Sequence, residues 1–237
     1  MYYDLTESRS RHVLRTYIEP IDRPPSLTEV AATRLRTLII EGEMPFGQLL
    51  SENRLATLLC VSKTPVREAL AQLKAEGLVE VQPYKGTFIF TPNPAEIAPL
   101  CEYWGTLLSA ATRSAYHRAR DELLLSLEEP LLALQAACEE QDVVAAIRAE
   151  MAAYAIPFLH CENPFLLEAQ RMIESKIVTL RVHACRHELA SAAFHREAER
   201  FVAALRTGAP EAAVEILNGR IAEISGVLES SVTRAFV

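Results

Sequence analysis

The sequence predicts a mainly α protein in two parts, an N-terminal winged helix-turn-helix with a small β-hairpin wing and a C-terminal antiparallel six-helix bundle. Three observations predict this. Ser51 to Phe90 reads as two short helices joined by a tight turn, then two strand-like runs about the turn residues Pro83–Gly86. Thr91-Pro92-Asn93-Pro94 interrupts all regular structure and marks a boundary. Beyond it, apolar residues recur at helical spacing with no convincing strand.

Residues 1–25 read as a flexible arm, polar and rich in Arg and Tyr, with only weak periodicity over Leu5–Glu19. The first domain spans 26–91. Ser26-Leu27-Thr28-Glu29 fits a capping box and opens a helix to about Glu41, with Val30, Leu35, Leu38 and Ile39 as its core face. Gly42–Gly47 is a loop. Leu55, Ala56, Leu58 and Leu59 give the next helix an apolar face, and Val61 is the buried residue of the turn. In the following helix Thr64 is the expected N-cap and Pro65 the first helical residue, a position that tolerates proline. Val66, Ala69, Leu70 and Leu73 form its buried stripe, and Gly77 ends it. Leu78–Gln82 and Thr87–Phe90 are the two strands of the hairpin.

Residues 92–94 are the linker and 95–237 the helical domain. Its six helices are expected at about 95–118, 121–140, 142–160, 164–186, 188–207 and 209–232, with Pro130 and Pro157 kinking the second and third. A bundle of this size can enclose a central cavity.

Composition narrows the function. Half the residues are hydrophobic and 23% are charged, a soluble globular profile. No apolar run reaches membrane-spanning length, and the N-terminus lacks the apolar core of a signal peptide, so the expected location is the cytoplasm. Five cysteines are scattered without a C-x-x-C pair, as expected for reduced, mostly buried thiols. The net charge of −7 is unevenly placed: residues 1–92 balance 11 Lys+Arg against 11 Asp+Glu, so the acidic surplus lies in the second half. A neutral first domain implies that any polyanion would meet a local basic patch, doubled by dimerisation.

That patch is visible. The start of the second helix of the pair carries Ser62, Lys63, Thr64 and Arg67, two hydroxyls and two cations with no acid before Glu68. A helix fits the DNA major groove and reads base edges with its N-terminal residues. Tyr84-Lys85-Gly86 at the hairpin tip offers a cation beside a glycine, suited to close approach to a sugar-phosphate backbone. Asn53 and Arg54, at the start of the preceding helix, complete the candidate DNA-binding set. Arg9, Arg11 and Arg15 of the arm are further cations that would meet DNA or a partner subunit if the arm docks.

The string VSKTPVREALAQLKAEGLV, preceded by SENRLA and followed by YKGTF, resembles the GntR family of bacterial transcription regulators over roughly Thr28 to Phe90. Gly42, Pro45, Gly47, Leu50, Ser51, Glu52, Leu55 and Ala56 also fall on that family's pattern. Lys63 replaces the family's usual arginine, keeping the charge but losing the bidentate fork that arginine offers guanine. Cys60 stands where glycine is usual, which predicts slight strain in the turn.

The helical half resembles the FCD ligand-binding domain. Asn163-Pro164-Phe165-Leu166, Ala204–Gly208 and Glu211-Ala212-Ala213 are its anchors. The resemblance implies a regulator that binds an operator as a dimer, represses by default and responds to an effector. Most FCD domains hold a divalent metal through an acid and three histidines. The corresponding positions here are Glu150, Tyr154, Ala198 and Arg220, so no cofactor is expected. Arg220 has two readings: it holds a small anionic organic effector with help from Tyr154, or it pairs internally with Glu150. Trp104 stands where many relatives carry a pocket arginine, either narrowing the cavity or simply packing. His183, His187 and His195, with Glu188 or Glu199, form an alternative displaced metal set, while His12, His117 and His160 show no evident partners.

An enzyme is not expected, because no P-loop, G-x-S-x-G or G-x-G-x-x-G motif is present. The remaining alternative is a degenerate regulator whose helical half only dimerises.

Overall fold

Residues 24–185 and 192–236 are described by the computed structural model of the chain; residues 1–23 of the arm, and His187 and Glu188 of the displaced metal set, lie outside them. Helix α1 spans Leu27–Ile40 and starts at the expected capping box. The Ser26 hydroxyl accepts from the Glu29 amide while the Glu29 carboxylate accepts from the Ser26 amide. Ala31, Ala32, Leu35 and Ile39 form its buried stripe.

Helix α2 is Glu52–Leu59 and helix α3 is Lys63–Ala75. The N-cap of α3 is Ser62 rather than Thr64. Pro65 is therefore third in the helix, where its missing N–H is still one that no helical carbonyl would accept. Only Leu55 and Ala56 of α2 are buried; Leu58 is exposed and Val61 half-buried, because α2 packs on α3 through a single narrow face. At the far end of α3, Gly77 N–H bonds to the Lys74 carbonyl and Leu78 N–H to the Leu73 carbonyl, with Gly77 at φ +71°. This Schellman closure turns the chain sharply into the wing.

The wing has three strands instead of the two expected. Strand β1 (Leu49–Leu50) pairs with β3 (Gly86–Ile89), which pairs with β2 (Val79–Gln82), all antiparallel in the order β1-β3-β2. Two residues carry no detectable alternation, so β1 exists only because Phe88 and Thr87 supply the opposite edge. Gly86 has φ +127°, a conformation that L side chains rarely adopt, so the turn into β3 favours glycine; a Cβ there would crowd only the movable end of the exposed Leu49 side chain, at 2.9 Å.

Seven helices, not six, make the described part of the second domain: α4 (Pro94–Arg118), α5 (Arg120–Ser126), α6 (Glu128–Glu139), α7 (Val143–His160), α8 (Pro164–Cys185), α9 (Ala192–Arg206) and α10 (Pro210–Phe236). The expected second helix is split at Leu127, so Pro130 sits in the first turn of α6 and breaks rather than kinks. Asn93 caps α4 by accepting from the Ala95 amide. Helices α4 and α10 run antiparallel, joined by Ser109–Asn218 and Arg113–Glu211 contacts. Helix α7 is central and packs on α4, α5, α6, α8 and α9. By length and hydropathy it would suffice to cross a membrane, contrary to the sequence expectation, but 56% of it is buried in the bundle.

The first domain is seated on α8. Arg36 of α1 forms a fork with Glu76, the residue that ends α3 (Nε–Oε2 2.7 Å), and the Ser175 hydroxyl of α8 donates to the same carboxylate at 3.0 Å. Arg148 reaches Glu41 at 2.8 Å. His183 lies 3.2 Å from the Ile39 carbonyl and its ring is 4.2 Å from that of Phe46.

Candidate nucleic-acid interface and interior ion cluster

The start of α3 projects from the head, with Val66, Ala69 and Leu73 fully buried behind it. Ser62, Lys63, Thr64 and Arg67 are all exposed, so the basic end that the sequence singled out is presented to solvent. No side chain caps α3, which leaves its first amides to meet an anion. Asn53 and Lys63 line one groove with Thr57, Cys60 and Ser62. Arg54 is exposed on α2, where its amide is capped by the Ser51 hydroxyl. Tyr84 stands wholly exposed at the wing tip with φ +63°, beside exposed Lys85 and Gly86.

Two acids near this surface are already engaged. Glu68 accepts from the Thr28 hydroxyl at 2.6 Å, and Glu52 accepts from Arg67 Nε at 2.6 Å. The second contact is the one sequence reasoning missed. It engages Arg67 through Nε while the side chain stays 64% exposed, so the pair orients the guanidinium more than it stabilises the fold, since an exposed ion pair contributes little. Cys60, which closes α2, adopts φ 54°, ψ 41°. The expected strain at the glycine-like position is thus present.

In the helical domain Glu150, Tyr154 and Arg220 do come together, around a carboxylate that is 0% exposed. Arg220 Nε is 2.9 Å from Glu150 Oε1, and Tyr154 donates to the same oxygen at 3.1 Å. Arg181, which the sequence did not single out, donates to Glu150 Oε2 from α8 and is itself almost fully buried. Its signal was weak: an arginine inside the apolar run Ile177–Val182, on the buried side of a long helix. Burial alone would raise the Glu150 carboxyl, but the charges of Arg181 and then Arg220 outweigh it and hold it below the usual carboxylate range. Burial, reinforced by Glu150, pushes the Tyr154 hydroxyl well above its ordinary value, so it remains a donor.

Arg220 also contacts Glu223 at 3.2 Å and lies 4.4 Å over the Phe194 ring, at the edge of a surface cleft between α9 and α10. Trp104 is fully buried with its ring 5.7 Å from that of Tyr154. Neither its Nε1 nor Arg181 Nη1 has a partner among the described residues. Ala198 is buried and offers no donor. His195 pairs with Glu199 and His183 faces the first domain, so these two members of the displaced metal set point to different neighbours. Contrary to expectation, His160 has a partner in the Ser126 hydroxyl (2.9 Å), and His117 packs edge-on to Tyr116.

Residues 27–89 match the bacterial regulatory proteins of the gntR family, and residues 100–223 match the FCD domain. An Agrobacterium vitis HTH-type transcriptional regulator from the TAR-I ttuE-ttuC' intergenic region is 33% identical over 143 residues, 56% of this chain and 84% of that one. A Paenarthrobacter nicotinovorans protein named as a probable D-xylose utilization operon transcriptional repressor is 28% identical over 200 residues, 81% of this chain and 85% of that one. A Streptomyces ambofaciens HTH-type regulator aligns with the head alone, 46% identical over 65 residues and only 28% of its own length. Among solved structures, E. coli McbR/YncC superposes with a TM-score of 0.73 at 22% identity, covering 90% of this chain and all of that one. The chain belongs to the GntR family of transcription regulators, with a helix-turn-helix DNA-binding head and an FCD domain.

Proposed function

We propose that this protein is a dimeric cytoplasmic repressor that binds a roughly palindromic operator and is modulated by a small anionic organic effector. The observation that carries it is the exposed basic start of α3, with an exposed wing tip on the same domain and Glu68 and Glu52 of the helix-turn-helix already engaged. Ser62, Thr64 and Arg67 enter the major groove, Lys63 holds phosphate as a point charge, and Tyr84, Lys85 and Gly86 follow the backbone. Asn53 and Arg54 flank that groove from α2. A dimer doubles the patch and matches a two-fold operator, which offsets the near-neutral head. The P. nicotinovorans relative named as a repressor supports that sign of regulation.

For the effector, two arginines converge on one buried carboxylate, and the other partner of Arg220 is the exposed Glu223. An organic carboxylate that displaces Glu223 from Arg220, with Tyr154 donating, would take that place. The same cluster does not suit a divalent cation: two guanidiniums flank its one carboxylate, and Tyr154 and Ala198 supply no imidazole. The reading therefore includes no metal. The second reading, a domain that only dimerises, is favoured by the internal pairing of Glu150 with both arginines.

Duplex selection from a random library with the purified chain is the first test, followed by Arg67→Ala on the selected site. Loss of a bidentate base contact weakens binding by about 1–3 kcal/mol and relaxes preference at one base position. Unchanged affinity would remove α3 as the reading helix. Native mass spectrometry should give a dimer without bound metal; one divalent ion per subunit would overturn the metal-free reading.

A further inference from the structure

Helix α8 touches both halves of the molecule from opposite sides. At 100° per residue, Arg181 and His183 are about 200° apart, so one points into the bundle and the other into the head. Arg181 is tied to Glu150. His183 meets the Ile39 carbonyl and Phe46, and Ser175, about 12 Å back along the same rod, donates to Glu76.

Glu76 is no ordinary surface acid. It is the C-cap of α3, it is braced by Arg36, and the adjoining Gly77 lies against Lys176 of α8, whose Cδ would be 3.5 Å from a Cβ at that glycine. The end of the reading helix opposite its DNA-facing start is thereby clamped to α8. Lys176 adds a contact over the Phe90 ring and another to Glu96. A packed helix of this length moves as a unit, so a change where Arg181 sits is felt at Ser175 and His183.

We propose that α8 is the coupling element of this regulator: the pairing of Arg181 with Glu150 sets the position of α8, and Ser175 on Glu76 passes that position to α3. This rests on the DNA-reading role given to α3 above. An anion entering the cluster competes with Glu150 for Arg181, whose Nη1 has no other partner among the described residues, so occupancy and helix position are linked. Arg181 is a positioning residue, acting on DNA through the helix that carries it.

The test needs no effector. Operator affinity of the full chain is measured by fluorescence anisotropy on the selected duplex for Glu150→Gln, Arg181→Lys, Ser175→Ala and the double variant Glu150→Gln/Ser175→Ala. Glu150→Gln and Arg181→Lys should each shift the operator Kd at least threefold, and hydrogen exchange should change at residues 72–78, the far end of α3. In the Ser175→Ala background the effect of Glu150→Gln should shrink to under 1.5-fold, because the link is already cut. Additive shifts, or wild-type affinity in both single variants, would overturn the proposal. Arg181→Lys keeps a cation beside Glu150 and carries the test if Glu150→Gln does not fold. If no duplex is enriched by the wild-type chain, the DNA-reading role fails instead, and unchanged exchange at residues 72–78 in Arg181→Lys still decides against the coupling.

Discussion

At the scale of single residues, backbone conformation has the clearest consequences. Cys60 occupies the left-handed region with an L side chain, which costs about 1–2 kcal/mol relative to the right-handed region. Glycine escapes that cost but loses more entropy on folding, so Cys60→Gly should stabilise the chain by about 0.5–1 kcal/mol. The check is a chemical denaturation midpoint that rises with an unchanged slope. Gly77 gives the converse case. A Cβ there meets only Lys176 Cδ at an ordinary 3.5 Å, so the cost of Gly77→Ala is the φ of +71° rather than a clash. It should lower stability by about 1–2 kcal/mol.

Glu174 on α8 adds a titration at the same scale. Burial raises its carboxyl, Arg171 lowers it, and Glu76 raises it further, for a net upward shift. The folded state therefore holds this proton more tightly than the unfolded one. The stability that Glu174 contributes is fully present below the ordinary carboxylate value and is lost as pH rises through the raised one. Glu174→Gln should remove that decline, which is read from melting temperatures between pH 4 and 7.

At the scale of elements, α3 depends on three others: α1 and α2 cover its stripe, and α8 holds its end. The wing turns at Gly86, whose φ of +127° is one that L side chains rarely adopt. Lys85 at its tip is exposed and reads as a phosphate contact. Lys85→Ala should weaken operator and random duplex alike and reduce the salt slope of binding by about 1, as measured by titrations across a range of KCl concentrations. An unchanged slope would remove the wing tip from the interface.

At the scale of the whole molecule, a near-neutral head is joined to a domain that carries the acidic surplus. By charge alone that surplus disfavours approach of the helical domain to a polyanion, as expected if binding rests on the local patch proposed above. The two halves are also not independent bodies joined by a string. Arg36–Glu76–Ser175, Arg148–Glu41 and His183–Ile39 form one seam. A regulator needs such a seam, because an effector can shift an equilibrium only through contacts that differ between states.

Much of this was legible in the chain itself. Ser26 and Glu29 announced a capping box by spacing alone, Gly77 a helix end, and Ser62 to Arg67 a basic helix start, because each is a local matter of a few consecutive residues. Glu150, Tyr154 and Arg220 were named through family positions, and they do converge. The sequence could not give Arg181, β1 or the Glu52–Arg67 contact, nor which side of α8 faces the head. Those depend on partners 15 to more than 100 residues away, such as Glu52 for Arg67 and Ile39 for His183, and only the packed chain brings them within reach.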